Sequence, residues 1–229
     1  MSSLYFRQIP VGPMENFAYA IGSTATRECV LVDPAWDVRG LLDLLDADGM
    51  TLVGALVTHY HPDHCGGSIF GFGAEGLPEL MTQRPVPVYC NEHEAKGLEV
   101  VTKLSRSDFR AKSGGDTVDV GGVSIKLLHT PGHTPGSQCF LVDNRLVAGD
   151  TLFLQGCGRV DLPGGSTEEM YRTLTQRLAT LPDDTLLYPG HSYGDADASD
   201  DEFRAQLGAV RRTNAYLQVK TLEDWLRVR

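Results

Sequence analysis

The chain of 229 residues carries 20 Lys and Arg against 30 Asp and Glu, a formal net charge of −10, with 41% hydrophobic and 22% charged residues. That balance suits a folded domain with a sizeable core and excludes a disordered acidic chain. Without a block of Lys or Arg, it also argues against nucleic acid or an anionic membrane as partner, since both require clustered positive charge.

The longest apolar stretches, such as residues 52–57, are far too short to span a bilayer. The opening Met-Ser-Ser-Leu-Tyr-Phe-Arg lacks the basic segment and apolar run of a secretory signal, so a cytoplasmic location is expected. The five cysteines (29, 65, 90, 139 and 157) are widely spread with no Cys-x-x-Cys pair, which argues against a disulfide framework or zinc knuckle. Some of them read as buried small apolar side chains, and Cys157 as a packing residue.

Residues 5–9, 17–21 and 29–32 alternate or run apolar and read as strands, the last stopped by Asp33-Pro34. A helical pattern covers 37–46, with Leu41, Leu42, Leu44 and Leu45 on its buried face. Residues 52–58 form an apolar, β-branched run, the signature of a strand buried on both faces, and lead straight into His59-Tyr-His-Pro-Asp-His64. Pro62 suits the first turn of a helix, so this cluster occupies the loop at a strand's carboxyl end. Residues 68–87, rich in Gly and Pro, read as an irregular excursion; a short strand at 86–89 and a helix over 92–104 follow.

The second half repeats the scheme. Strands at 118–120 and 123–129 meet at Gly121-Gly122, and Thr130-Pro-Gly-His133-Thr-Pro-Gly136 is a turn-rich loop. A hairpin over 138–142 and 145–148 ends at Gly149-Asp150. Ser166 caps a helix reaching about 178, a strand at 185–188 ends in Pro189-Gly190-His191, and a last helix covers about 200–212.

The chain has seven histidines, and three fall within residues 59–64. On a strand exit, residues i and i+2 turn two imidazoles toward one point; the turn through Pro62 offers a carboxylate and a third imidazole to a neighbouring point. No packing requirement concentrates imidazoles in this way, whereas imidazole and carboxylate suit zinc and comparable ions. His133, Asp150 and His191 each end a separate β segment and are further candidates. His93, on a polar helix, and His129, within a strand, read as ordinary hydrogen-bonded residues.

Thr58-His-Tyr-His-Pro-Asp-His64, Thr130-Pro-Gly-His133-Thr-Pro-Gly-Ser137, Ala148-Gly-Asp-Thr-Leu-Phe153 and Tyr188-Pro-Gly-His191 together resemble the metallo-β-lactamase-fold hydrolases, closest to the glyoxalase II-like branch. The resemblance covers nearly the whole chain. It implies an α/β (α+β) fold, a single four-layer αββα sandwich over 1–229 with two related halves, roughly 1–112 and 113–229, and a short helical segment from about 200. It also implies two divalent metal ions, with zinc expected first and iron or manganese as alternatives. In that assignment His59, His61 and His133 hold the first ion, Asp63, His64 and His191 the second, and Asp150 bridges. Such a pair, about 3.5–4 Å apart, ionises a shared water, polarises the substrate carbonyl and stabilises the resulting oxyanion. Asp63 and Asp150, with that water, form the expected catalytic set.

The resemblance implies a metal-dependent hydrolase acting on a thioester, with a glutathione or other thiol conjugate as the small-molecule substrate. Gly156-Cys-Gly-Arg-Val-Asp161 corresponds to the glyoxalase II stretch Gly-Cys-Gly-Lys-x-Tyr, so Arg159 stands for the Lys and Asp161 for the Tyr. Arg159 is suited to grip a carboxylate bidentately; Tyr193 either lines the pocket or caps the sheet edge. Arg211-Arg-Thr-Asn214 resembles the terminal basic segment of glyoxalase II. The persulfide dioxygenases are the alternative. Their Gly-Cys-Gly-Arg-Thr-Asp loop matches 156–161 more closely, and they hold a single iron through the equivalents of His59, His133 and Asp150. A β-lactamase or lactonase, a nuclease and a metal-stabilised binding module rank lower. The sequence leaves the oligomeric state open.

Overall fold

The computed structural model describes residues 3–69, 71–193 and 203–228. Its first sheet has the order β1-β2-β3-β4-β7-β8, built from β1 (Leu4–Val11), β2 (Asn16–Ser23), β3 (Glu28–Val32), β4 (Thr51–Leu56), β7 (Val88–Asn91) and β8 (Phe109–Lys112). A small hairpin, β5 (Gly67–Ile69) with β6 (Phe72–Ala74), stands apart from it. The second sheet has the order β14-β13-β12-β11-β10-β9, from β9 (Thr117–Val120), β10 (Val123–His129), β11 (Gln138–Val142), β12 (Arg145–Val147), β13 (Leu186–Tyr188) and β14 (Ala205–Gln206).

Alternation along the strands builds three apolar layers. In β2, Phe17, Tyr19 and Ile21 point between the sheets, where they meet Val120, Ile125, Phe140 and Val147. Ala18 and Ala20 point the other way, toward α1 (Val38–Ala47), α3 (Leu77–Gln83) and α4 (Ala95–Thr102), whose Leu41, Leu45, Leu80 and Leu98 share their cluster. On the far face of the second sheet, Cys139, Leu146 and Leu187 pack with residues of α5 (Thr167–Arg172), α6 (Leu207–Thr213) and α8 (Leu222–Val228), including Met170, Val210 and Trp225. The result is the four-layer αββα sandwich. Four of the five cysteines are buried in it, and Cys157 is half-buried.

Three segments depart from the sequence reading. Much of 68–87 is ordered into elements: Gly66 and Gly67, both at positive φ, lead the chain into β5, which pairs with β6, and α3 follows. Pro78 lies in the first turn of α3, where a missing N–H costs nothing, and Glu79 accepts from Gly76 N at 2.7 Å. The helix from Ser166 winds on beyond Arg172 as a wider turn over Thr173–Arg177 and a tight one over Leu178–Thr180. The helix expected as the last, over about 200–212, begins at Leu207, because Ala205 and Gln206 add an edge strand to β13, and α8 follows it; the expected start at 200 lies outside the described residues. Two short helices complete the set, α2 (Pro62–Cys65) and α7 (Ala215–Gln218).

Among the described residues, no helix is long and apolar enough to cross a membrane. Phe140 is fully buried between the sheets, so Phe140→Ala is expected to cost about 3–5 kcal/mol of unfolding free energy. Val100→Ala, on an exposed helix face, should stay within about 0.5 kcal/mol. Urea denaturation of the two variants beside the parent checks both.

Candidate metal centre

The parallel strands β3 and β4 end side by side, and their carboxyl ends carry the first donors. Asp33, just past β3, adopts a positive φ of 50° that turns its carboxylate across to the β4 exit. There Oδ1 accepts from Thr58 N at 2.7 Å and Oδ2 from Thr58 Oγ1 at 2.6 Å. Asp33 Oδ2 also lies 3.0 Å from His64 Nδ1. Since the carboxylate accepts, His64 Nδ1 carries the hydrogen and its Nε2 presents a lone pair.

The same logic orients three more rings. Thr58 Oγ1, having donated to Asp33, accepts from His59 Nδ1 at 3.0 Å. His133 Nδ1 donates to the Arg159 carbonyl at 2.6 Å, and His191 Nδ1 to the Met14 carbonyl at 2.8 Å. In each case Nε2 is left as an acceptor turned inward. Such partners on the second ring nitrogen are what orient a metal-ligating histidine.

All seven expected residues meet. The potential donor atoms of His59, His61 and His133 lie within 4.8 Å of one another, as do those of His59, His64 and Asp150, and those of Asp63, His64 and His191. His133 Nε2 is 2.8 Å from His61 Nδ1, and His64 Nε2 is 3.2 Å from His191 Nε2. Nitrogen lone pairs so close repel unless a proton or cation sits between them. Asp150 reaches both sides: Oδ1 is 3.2 Å from His64 Nε2 and 3.3 Å from His191 Nε2, and Oδ2 is 3.5 Å from His133 Nε2. His59 Nε2 and Asp150 Oδ1 are buried and, among the described residues, have no hydrogen-bond partner. Two buried acceptors without donors fit a cation as the missing group.

The electrostatics divide the cluster. Burial, aided by neighbouring imidazoles, pushes His59 well below its usual range and His61 down to about 4. Burial opposes charge on His64 and His191 as well, but Asp63 and Asp150 outweigh it, raising His64 well above its ordinary value and His191 to about 9. Burial would lift both aspartates, yet the positive imidazoles beside them hold Asp63 and Asp150 well below the usual carboxylate range. His59 and His61 are thus held neutral and both aspartates ionised, the forms in which these groups bind metals, whereas His64 and His191 favour a proton that a cation at their group would displace.

The site opens into a cleft of about 610 Å³. Met14, Ile69, Phe153 and Leu162 give it apolar walls, with Arg159 and Tyr193 also on its lining. Tyr193 stacks on His191, ring centroids 4.5 Å apart and planes 9° apart, so it lines the cleft. The exposed Arg159 guanidinium makes a two-pronged contact with Asp161, Nε to Oδ1 at 3.0 Å and Nη2 to Oδ2 at 2.9 Å. Gly158 passes so close to Asp150 that a Cβ there would lie 2.0 Å from its carbonyl oxygen. His93 and His129 face each other in a separate hollow, in keeping with their reading as ordinary residues.

Several supporting residues escaped the sequence reading. Asn16 Nδ2 donates to Asp63 Oδ2 at 3.0 Å. Glu94, fully buried, accepts from Tyr60 N at 2.7 Å through Oε2, and from Thr134 Oγ1 at 2.8 Å and Gly136 N at 2.6 Å through Oε1. One carboxylate thereby joins the His59–His64 loop to the His133 loop. The Arg211–Asn214 segment turns out to be structural: Arg211 Nη2 donates to the Leu178 and Leu181 carbonyls, and Asn214 Nδ2 to those of Phe153 and Gly156.

Residues 11–191 match the metallo-beta-lactamase superfamily. The chain belongs to that family. A probable polyketide biosynthesis zinc-dependent hydrolase, BaeB of Bacillus velezensis, is 29% identical over 93% of this chain and 87% of its own. The hydroxyacylglutathione hydrolase of Shewanella halifaxensis is 34% identical over 78% of this chain and 62% of its own. The crystal structure of ETHE1 from Myxococcus xanthus superposes with a TM-score of 0.81 at 29% identity, covering 98% of this chain and 89% of that one. The chain is therefore a member of a metal-dependent hydrolase superfamily, and these similarities agree with the glyoxalase II-like branch.

Burial pushes the Glu94 carboxyl up to about 6 against the pull of its hydrogen bonds from Thr134, Gly136 and Tyr60. A raised carboxyl contributes stability that is complete below its ordinary value near 4.5 and is lost as pH rises through about 6. Over that interval the contribution amounts to about 2 kcal/mol. The stability margin of the parent over Glu94→Gln should therefore widen by about that amount from pH 7 to pH 4.5, as followed by urea titration at each pH.

Proposed function

We propose that this protein is a hydrolase of small thioesters that works with two divalent cations, zinc foremost. The observation that carries the reading is the convergence of two triads of donors, His59, His61 and His133, and Asp63, His64 and His191. Asp150 reaches both, and His59 Nε2 and Asp150 Oδ1 lack partners among the described residues. The three-histidine triad would hold one cation and the Asp63 triad the other, with Asp150 between them. Bound there, such cations ionise a water at neutral pH, polarise the carbonyl and offset the oxyanion's charge.

The chain's own residues supply the rest. Asp63 and Asp150, held ionised, retain the cations and offer acceptor oxygens that orient the attacking water. Met14, Ile69, Phe153 and Leu162 bury the acyl part of the substrate and exclude bulk water. The Arg159 fork, already closed on a carboxylate in Asp161, is shaped to take a substrate carboxylate by exchange. Outside the donor triads, the lining residues Arg159 and Tyr193, both raised from their already high ordinary values, offer no acid that titrates near neutrality. A thiolate leaving group, with a pKa of about 8.5, needs none, which favours a thioester over an ester or amide. The hydroxyacylglutathione hydrolase named above supports a glutathione conjugate as the first substrate to try.

The match of 156–161 to the persulfide dioxygenase loop favours a second reading, oxidation of a thiol persulfide at a single iron. Metal analysis with a substrate panel separates the two. Two zinc-like ions per chain, with hydrolysis of S-lactoylglutathione or another small thioester, support the hydrolase; one iron with oxygen uptake on glutathione persulfide supports the dioxygenase.

Dialysis against a strong chelator should abolish thioester turnover and added zinc should restore it; full activity in a metal-free sample would refute the reading. Arg159→Ala is expected to raise KM for a carboxylate-bearing thioester about tenfold with kcat little changed, measured in steady-state assays.

A further inference from the structure

Asn16 opens β2 and is 1% exposed, a buried polar side chain outside the seven donors. Its strand is stitched directly to the His191 segment. Phe17 N donates to the Gly190 carbonyl at 2.8 Å, and Asn16 itself forms a bridge with His191. Its amide nitrogen stands 3.0 Å from Asp63 Oδ2 and 3.4 Å from both His64 Nε2 and His191 Nε2.

Those three atoms form an almost equilateral triangle, with sides of 3.4 Å (His64 to Asp63), 3.4 Å (His191 to Asp63) and 3.2 Å (His64 to His191). A cation held by all three would leave only the two faces of the triangle open to a further ligand. The Asn16 amide stands on one side. It lines a hollow with Pro10, Gly12 and Ser192, whereas Asp63, Asp150 and His191 line the cleft. The amide is thus the wall at the triangle's back.

The orientation of that wall is fixed from behind. Trp36 Nε1 donates to Asn16 Oδ1 at 3.0 Å, which leaves the NH2 group facing the triangle. Reversing the amide would set its oxygen against Asp63 Oδ2 and strip the Trp36 N–H of its acceptor. Trp36 sits at a φ of 71°, and its ring fills the space where a Cβ on Gly12 would fall, 2.3 Å from Trp36 Cγ. A non-glycine residue in this region carries strain, so the ring is held in place by its surroundings.

We infer that Asn16, oriented by Trp36, is a positioning residue for the Asp63–His64–His191 group. It fixes the carboxylate by an N–H bond, offers no ligand itself, and leaves the cleft side as the only direction from which that group is completed. The inference rests on the two-cation reading above. Its consequence is that the two donor groups are separable: a change at Asn16 acts on one and spares the other.

The test is stepwise metal loading of parent, Asn16→Ala and Trp36→Phe, starting from metal-free protein. Zinc affinity is read by competition with a chromophoric chelator, and cobalt(II) visible absorption is recorded at each equivalent. Asn16→Ala is expected to weaken one equivalent 10–100-fold and alter its cobalt spectrum, leaving the other within about twofold. Trp36→Phe, which frees the amide to turn, should shift the same equivalent in the same direction by less. Thermal melting of the metal-free variants confirms that each is folded, and Trp36→Phe carries the test if Asn16→Ala is not. Unchanged affinities and spectra, or equal weakening of both equivalents, would overturn the role of Asn16 while the two-cation reading stands. A parent that takes up no second equivalent overturns that reading itself, before any substitution is examined.

Discussion

Four inward-facing imidazole nitrogens are held as acceptors because the other nitrogen of each ring is spent elsewhere: on Thr58, on Asp33, and on the carbonyls of Arg159 and Met14. Everything else about the centre follows from this. Lone pairs 3.2 Å apart, as at His64 and His191, are unfavourable neighbours in a dry interior, and only a rigid scaffold keeps them together until a positive charge makes the arrangement favourable. The scaffold is rigid because the anchoring partners come from distant stretches. Arg159 aims His133, Met14 aims His191 and Asp33 aims His64, so three rings are fixed by segments other than their own, and His59 by Thr58, itself tied to Asp33.

That dependence explains the place of the site. The donors leave strand ends, and the strands are locked by a core that fills both faces of each sheet. Where the two sheets end, backbone polar groups run out of ladder partners, and side chains with hydrogen-bonding capacity take over. Asp33 illustrates the transition: it leaves β3, accepts the first free N–H beyond β4, and passes the remaining capacity of its carboxylate to a histidine.

Much of this was readable from local pattern. His59, His61, Asp63 and His64 are close in sequence, and an imidazole cluster has no packing explanation, so their convergence could be anticipated. His133, Asp150 and His191 stood out by ending β segments. What escaped was whatever depends on contacts across the fold. Asn16 and Trp36 look like ordinary polar and apolar positions until β2 is laid beside the His191 segment. Glu94 looks like one acid of a polar helix, although it is sealed inside and ties two loops. Asp33 was visible only as the end of a strand. Residues 68–87 were misread because Gly and Pro mark turns and also the first turn of a helix, and the strand at Ala205 exists only because β13 has an edge to cover.

The cleft has two owners. One wall carries the donors, while the stretch around Phe153–Gly156 hangs from Asn214, whose side-chain amide holds the carbonyls of both those residues and whose oxygen caps α7. From there the Phe153 ring meets His191 edge-on, centroids 5.9 Å apart. The C-terminal helices therefore serve two ends at once: Val210 and Trp225 seal the second sheet, while Asn214 sets the course of the wall that faces the donors across the cleft.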